Sequence, residues 1–252
     1  MNEPLPKVAV LLTTYNGEKF IEEQCASIFS QLNVDVTIYF SDDCSTDSTM
    51  HLLKRICNEN INCYILSENN KFGSACENFL SLILKAPINN FDYISFADQD
   101  DIWLPNKLAC AVDKLVKNNA LGFSSDVISW NPEESIFKRV EKHGNQTVFD
   151  YMFQGPGPGC TFVIKSSIAL ELSKFIKTLS DDKRKSIWFH DWFIYAYFRS
   201  KEYKWFIDSY SGMLYRQHSS NVIGSNIGLR GIIDRLKVLK KRRKQTIILS
   251  QR

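Results

Sequence analysis

Over the first 117 residues the apolar positions switch between two periods. Residues 7–14 (KVAVLLTT) are an almost unbroken apolar run that closes on hydroxyls, the pattern of a buried strand. Residues 18–31 return Phe20, Ile21, Cys25, Ile28 and Phe29 to one side of a helix. Residues 34–40 (VDVTIYF) alternate as a strand, 46–58 are helical, 62–66 form a short strand, 74–85 are helical and 93–97 read as a strand. Residues 105–117 read as a helix with Pro105 at or near its first position, where the missing N–H costs nothing. Strand–helix repetition at this spacing predicts a parallel sheet with right-handed crossovers. Ligands of such sheets bind outside the carboxyl ends of the strands. Three polar clusters stand at those ends: Thr13-Thr14-Tyr15-Asn16, Ser41-Asp42-Asp43-Cys44-Ser45 and Asp98-Gln99-Asp100-Asp101.

The second half is less regular. Residues 121–130 read as a strand and 131–146 as a polar loop. The GPGPG run at 155–159 reads as a rigid turn into a strand over 160–165. Helices are predicted over 166–179 and 190–200, the second rich in aromatics, and short strands over 203–208 and 212–217.

Composition adds bounds. With 252 residues, 44% hydrophobic and 23% charged, the chain suits one large folded domain or a domain with an appendage, not a disordered or repeat protein. No apolar run approaches the roughly 18 residues of a membrane span. Residues 1–7 lack a basic and then apolar leader pattern, which reads against a secretory signal. Seven cysteines without C-x-x-C spacing point to reduced thiols in a cytosolic protein, and not to a disulfide framework or zinc site. Charge is uneven: nine basic residues against Asp234 make 230–252 +8, so with a total of +3 the remainder is −5. Leu229, Ile232, Ile233, Leu236 and Leu239 add an apolar stripe, so residues 227–252 are expected to form a basic amphipathic helix. Either it lies on an anionic membrane surface or it packs on the domain; no nucleic-acid-binding motif accompanies the charge.

The candidate chemistry is acidic. Three carboxylates in Asp98-Gln99-Asp100-Asp101 repel one another unless solvated, as in a turn before the helix at Pro105, or neutralised by a cation. Oxygen-only ligands suit Mg2+ or Mn2+ held beside substrate phosphates. In Asp42-Asp43-x-Ser-x-Asp one member is expected to cap the next helix. A carboxylate there can also accept the imide N–H of a pyrimidine, the sharper reading of Asp43. The GPGPG run fits no phosphate-loop pattern, and its two prolines have no N–H to offer; it is expected to shape the acceptor side of the cleft.

KVAVLLTTYNG, FSDDCSTDST and ISFADQDDIWLPNKL, in this order, resemble the inverting glycosyltransferases of family 2. Gly159-Cys160-Thr161 opening a strand, His190-Asp191-Trp192, and Tyr215-Arg216-Gln217-His218 running on to Gly224 are similar to its bacterial rhamnosyltransferase-like branch. The resemblance covers about residues 6–226. It implies an α/β GT-A fold with a mostly parallel central sheet, a nucleotide-binding half over 1–118 and an acceptor-side half over 119–226.

The resemblance also implies roles. Thr13 and Tyr15 line the base pocket, Asp43 binds the base imide, Asp98 approaches ribose or metal, and Asp100 is the metal ligand of the D-x-D. Asp191 is the general base. His190 stands where the family often has Glu, and is expected to tune Asp191 or contact acceptor. Inversion needs a carboxylate opposite the leaving diphosphate, and Asp191 opens an aromatic helix whose Trp192 is of a kind that packs sugars. The bland reading of Asp191 is a helix N-terminal carboxylate favoured by the macrodipole. Arg216 and His218 are read as a loop closing on diphosphate and metal, or else as a surface strand end. The expected reaction moves a hexose, L-rhamnose from a dTDP-sugar or alternatively glucose or galactose from a UDP-sugar, onto a glycan or lipid-linked glycan. The enzyme is expected in the cytoplasm, peripheral on the inner membrane face. A nucleotidyltransferase would need a Gly-rich basic loop after the first strand, which Thr13–Glu18 is not; a non-catalytic glycan-binding protein would not need intact Asp43, Asp98, Asp100 and Asp191.

Overall fold

The computed structural model describes residues 4–68 and 70–218; the basic segment 227–252 and its membrane reading lie outside the described residues. The chain begins as the apolar pattern predicts. Strand β1 (Lys7–Thr14) leads to helix α1 (Ile21–Phe29), β2 (Asp35–Asp42), α2 (Thr49–Glu59), β3 (Cys63–Ser67), α3 (Ala75–Lys85) and β4 (Tyr93–Ala97). After β4 come β5 (Ile102–Trp103), α4 (Lys107–Lys117), β6 (Gly122–Ser125), β7 (Val127–Asn131) and β8 (Ile136–Val140). The chain continues through β9 (Val163–Lys165), α5 (Ser166–Thr178), α6 (Asp181–Lys185), α7 (His190–Ser200), β10 (Trp205–Asp208) and β11 (Met213–Arg216).

Seven strands form a sheet in the order β10-β6-β9-β4-β1-β2-β3. All its pairings are parallel except those of β9, which runs antiparallel to β4 and β6. This is the expected mostly parallel α/β sheet. Successive strand residues face opposite ways, so β1 divides the core. Val8, Val10 and Leu12 pack with Ile21 and Ile28 of α1, Leu53 of α2 and Leu108 and Leu115 of α4. Ala9 and Leu11 pack with Phe79 of α3, Leu172 of α5 and Phe193 of α7. Val8 to Leu12 are fully buried. Each buried Val or Leu among them contributes roughly 1.5–3 kcal/mol, which is why β1 needs no polar face.

The second half corrects three expectations. Residues 121–130 are not one strand: β6 ends at Ser125 and β7 joins a second sheet, ordered β5-β11-β7-β8. The break is Asp126, fully buried, whose carboxylate accepts the backbone N–H of Lys142 (2.6 Å) and His143 (2.9 Å) and pairs with Arg139 and the His143 ring. Residues 131–146 are not all loop, since β8 pairs antiparallel with β7; four of its five residues are exposed, so it carries no apolar alternation. The strand expected over 160–165 is only β9, preceded by a 3-10 turn at Gly159–Thr161. All seven cysteines are free thiols.

Candidate active site

The parallel register sets Thr13 beside Ser41, Thr14 beside Asp42 and Leu12 beside Ala97. The loops after β1, β2 and β4 therefore leave the sheet side by side, where the strand order reverses about β1, the usual ligand position in such sheets. Buried Asp42 organises the second loop by accepting from Thr14 Oγ1 (2.7 Å), Ser45 Oγ (2.6 Å) and Ser45 N–H (2.7 Å). Asn16 N–H donates to Ser45 Oγ (2.8 Å), Thr46 N–H to Asn16 Oδ1 (2.8 Å) and Gly17 N–H to Thr49 Oγ1 (2.8 Å). Thr13 is buried within this frame, while Tyr15 presents a side chain 57% exposed. None of Asp43, Ser45, Thr46 or Asp47 is the N-cap of α2, which is Ser48 without a side-chain cap bond; Asp47 accepts from Thr49 N–H at 3.0 Å in a local turn.

Asp43 lies one residue beyond β2 and is buried. Its Oδ1 accepts from Phe72 N–H, and Gly73 N–H reaches both oxygens at 3.0 Å. A carboxylate has about four acceptor positions, so one remains for a donor arriving from the cleft.

The acidic loop follows β4. Burial first, and then the charges of Asp100 and Asp191, push the Asp98 carboxyl up to about 7. Asp100 Oδ2 meets His218 Nε2 at 2.7 Å, and the His218 ring stacks on Phe20 (4.8 Å). Asp101 is buried; its Oδ1 accepts from Arg216 N–H (3.2 Å), and its Oδ2 has no hydrogen-bond partner. Ligand atoms of Asp98, Asp101 and Cys160 lie within 4.8 Å of one another, a cluster that could hold a divalent cation. Burial pushes the Cys160 thiol well up, so at neutral pH it is a thiol and the oxygens are the donors. Crowded carboxylates, an orphaned buried oxygen and an oxygen donor set fit a hard cation.

Arg216 does not stand on an open loop. It is buried between Phe20 (4.9 Å) and Trp130 (4.6 Å), its Nε donates to Asp100 O (2.8 Å), and its Nη2 pairs with Glu23. These contacts brace the acidic loop and do not leave the guanidinium on a closing flap.

On the opposite wall, Asp191 is the second residue of α7 and accepts its neighbour Trp192's N–H at 2.6 Å. Its charge adds to the upward push on Asp98. His190 does not face outward: its ring stacks on Phe79 at 4.0 Å, and its buried Nε2 has no partner. Burial lowers its pKa against the pull of Asp191, so the imidazole is neutral. A Cβ on Gly159 would sit 2.5 Å from His190 Nε2 and 3.1 Å from Asp191 Cβ, so glycine is required there. Trp192 is likewise core, 1% exposed, and offers no open platform for a sugar.

The family model described as glycosyl transferase family 2 matches residues 9–223. The chain belongs to that family. It is 44% identical over 236 residues to the dTDP-rhamnosyl transferase RfbG of Shigella flexneri, a match covering 92% of this chain and 80% of that one. It is 24% identical over 157 residues to the UDP-Glc:alpha-D-GlcNAc-diphosphoundecaprenol beta-1,3-glucosyltransferase WfgD of Escherichia coli, covering 62% and 59%. Among solved structures, S. aureus TarS 1–349 in complex with UDP-GlcNAc is similar with a TM-score of 0.59 at 16% identity, over 94% of this chain and 66% of that one. The mannosyltransferase PcManGT from Pyrobaculum calidifontis is similar with a TM-score of 0.58 at 15% identity, over 98% and 70%. These structures share the fold. As a family 2 glycosyltransferase the chain is an enzyme that uses nucleotide sugars, and among its described residues no helix is long and apolar enough to cross a membrane.

Four features around the site were not legible in the sequence. Gln99, Gly159 and the brace Glu23–Arg216 act through partners distant in sequence. Lys107 is buried, with Nζ 3.5 Å over the Trp103 ring and no hydrogen-bond partner; burial lowers its pKa to about 7. A lysine opening an amphipathic helix carries no sequence signal of burial.

Proposed function

We propose that the enzyme transfers L-rhamnose from dTDP-L-rhamnose, with inversion, to a hydroxyl of a glycan or lipid-linked glycan. The observation that carries the mechanism is Asp191 at the start of α7, packed against Gly159, the neighbour of the Cys160 that clusters with Asp98 and Asp101. An acceptor hydroxyl loses its proton to Asp191 as its oxygen bonds to the sugar's C1. The C1–O bond to the diphosphate breaks on the other face, and the electron pair leaves with dTDP. Asp43 takes the base imide N–H, with Thr13 and Tyr15 lining that pocket. Asp100 and His218, with the Asp98 and Asp101 carboxylates of the same loop, would hold Mg2+ or Mn2+, which would supply charge neutralisation at the diphosphate. The donor assignment draws on the 44% identity to a dTDP-rhamnosyl transferase. The second reading, a UDP-hexose donor, draws on the likeness to WfgD.

The catalytic unit in this reading is 1–226, with 1–118 gripping nucleotide and 119–226 facing acceptor. The +8 of 230–252 would draw the enzyme to an anionic membrane on its cytoplasmic face. Liposome co-sedimentation of the full chain and of a chain ending at Gly228 tests that point; equal sedimentation removes it.

The deciding experiment is nucleotide release and thermal shift across dTDP-, UDP- and GDP-sugars, with Mn2+ or with excess chelator. dTDP-rhamnose should turn over, and dTDP should stabilise only with the cation, because Asp98 and Asp100 otherwise face the diphosphate as like charges. A preference for GDP overturns the pyrimidine pocket, and equal stabilisation in chelator overturns the metal role.

A further inference from the structure

Gln99 lies between the two carboxylates of the D-x-D, yet its amide turns away from them. It pairs with the main chain of Tyr15 in both directions: Tyr15 N–H donates to Oε1 at 2.8 Å, and Nε2 donates to Tyr15 C=O at 3.0 Å. The two strands below are already paired, with Leu12 opposite Ala97 as the last rung of the ladder. Gln99 thus adds a side-chain rung above the sheet, where the loop backbones have diverged.

Gly17 bears independent witness. A Cβ built on it would lie 2.3 Å from Gln99 Oε1 and 2.6 Å from Gln99 Cδ. The positive-φ glycines among the described residues are Gly73 and Gly157, and Gly17 is not one of them. Its backbone would accept alanine, and what excludes a side chain is the Gln99 amide. Gly17 is itself anchored by its N–H to Thr49 Oγ1 at 2.8 Å, at the start of α2. Gln99 is therefore packed over one residue of the first loop and hydrogen-bonded to another.

We propose that Gln99 is a positioning residue that fixes the base-pocket loop, through the Tyr15 main chain, at a set distance from Asp98 and Asp100. This rests on the nucleotide-sugar reading above. Base and diphosphate are two ends of one ligand of fixed length, and different loops meet them. Holding those loops in register before the donor arrives spares the donor the cost of ordering them. Without the rung each loop can still bind its own end of the ligand, so the loss falls on donor binding and not on the proton transfer at Asp191.

The test is a double-variant cycle on the full chain. Gln99→Met keeps bulk and removes both hydrogen bonds, and should raise the donor KM about tenfold with kcat changed less than about threefold. Gly17→Ala should give a similar KM defect by displacing the amide. In the Gly17→Ala/Gln99→Ala double variant the clash is absent, so its KM should match Gln99→Ala alone instead of multiplying to about a hundredfold. A wild-type donor KM in Gln99→Met, or multiplying defects in the double variant, overturns the proposal. The same cycle read in melting temperature needs no substrate: non-additivity of Gly17→Ala and Gln99→Ala shows the contact, and additivity overturns it. If the wild-type enzyme turns over no pyrimidine-nucleotide sugar, the functional reading fails while the melting cycle still decides the contact.

Discussion

The two walls of the site are held in place by different physics. On the wall proposed to bind donor, the loops after β1, β2 and β4 are joined by directional bonds from side chain to backbone: Asn16 with Ser45 and Thr46, Gly17 with Thr49, Tyr15 with Gln99. On the wall proposed to face acceptor, Asp191 is set by packing. It opens a helix whose next seven residues are all buried, and His190 before it is wedged between Phe79 and Gly159. A neutral hydrogen bond contributes about 0.5–1.5 kcal/mol net, so the donor wall can lose one and loosen gradually. A close-packed wall has no such reserve, because one added methyl must move its neighbours. Donor affinity should therefore decline in steps, and turnover should fall sharply.

The largest effect belongs to Asp191→Asn. It keeps shape and removes basicity, so turnover should drop by at least about a hundredfold, with dTDP-induced thermal stabilisation unchanged. Retention of most activity would move the base elsewhere, and the neutral, inward-facing His190 would be a poor replacement. Gly159→Ala tests the packing side of the comparison. Its Cβ would press on His190 Nε2, and the ring cannot retreat through Phe79, so the start of α7 must shift. We expect kcat to fall about ten- to a hundredfold, the scale of a misplaced reacting group, with donor KM nearly unchanged. Steady-state kinetics separate the two; a change confined to KM would mean that the acceptor wall is not set by this contact.

Asp43→Ala is the donor-wall counterpart. It removes the acceptor of the Phe72 and Gly73 N–H groups and, in the proposed reading, of the base imide. Donor KM should rise about tenfold or more, with kcat affected less. Isothermal titration with dTDP and Mn2+ reads it directly; an unchanged dissociation constant would take Asp43 out of the base pocket.

The same division explains what could be read from residues alone. Val8 to Leu12 and Tyr93 to Ala97 are buried on both faces, so their apolar runs announce strands, and the polar residues just past them announce a site. Asp43, Asp98, Asp100 and Asp191 stand out as candidates because they fall at strand and helix ends within the family's motifs. β8 was not legible, because its residues are exposed and paired only by backbone. β5 is two residues long, too short for any period. The break at Asp126 depends on Arg139 and His143, and the need for Gly159 depends on His190; neither partner is near in sequence. Arg216 illustrates the limit in the other direction: its position after a strand was visible, but the Phe20, Trp130 and Glu23 that enclose it were not.

The smallest expected effect lies beneath both walls and leaves the chemistry alone. Lys107 is buried with its Nζ over the Trp103 ring, and burial lowers its pKa from 10.5 to about 7. Between those values the unfolded chain binds a proton that the folded protein does not. Stability conferred through this group therefore rises with pH above about 7, with a slope of at most about 1.4 kcal/mol per pH unit. Tyrosines and thiols raised by burial, such as Tyr215 and Cys25, act in the opposite sense at higher pH, so the informative window is pH 7–8.5. Lys107→Met keeps the aliphatic stem on Trp103 and removes the buried charge. It should be the more stable protein at pH 7, by about 1 kcal/mol after loss of the cation–π contact. The difference from wild type should shrink as pH rises toward 8.5, since wild type sheds its proton and the variant has none to shed. Urea unfolding at closely spaced pH values checks this. A variant less stable than wild type at pH 7, or a difference that does not change with pH, would mean that Lys107 stays charged in the folded protein and that Asp101 and the Trp103 ring outweigh its burial.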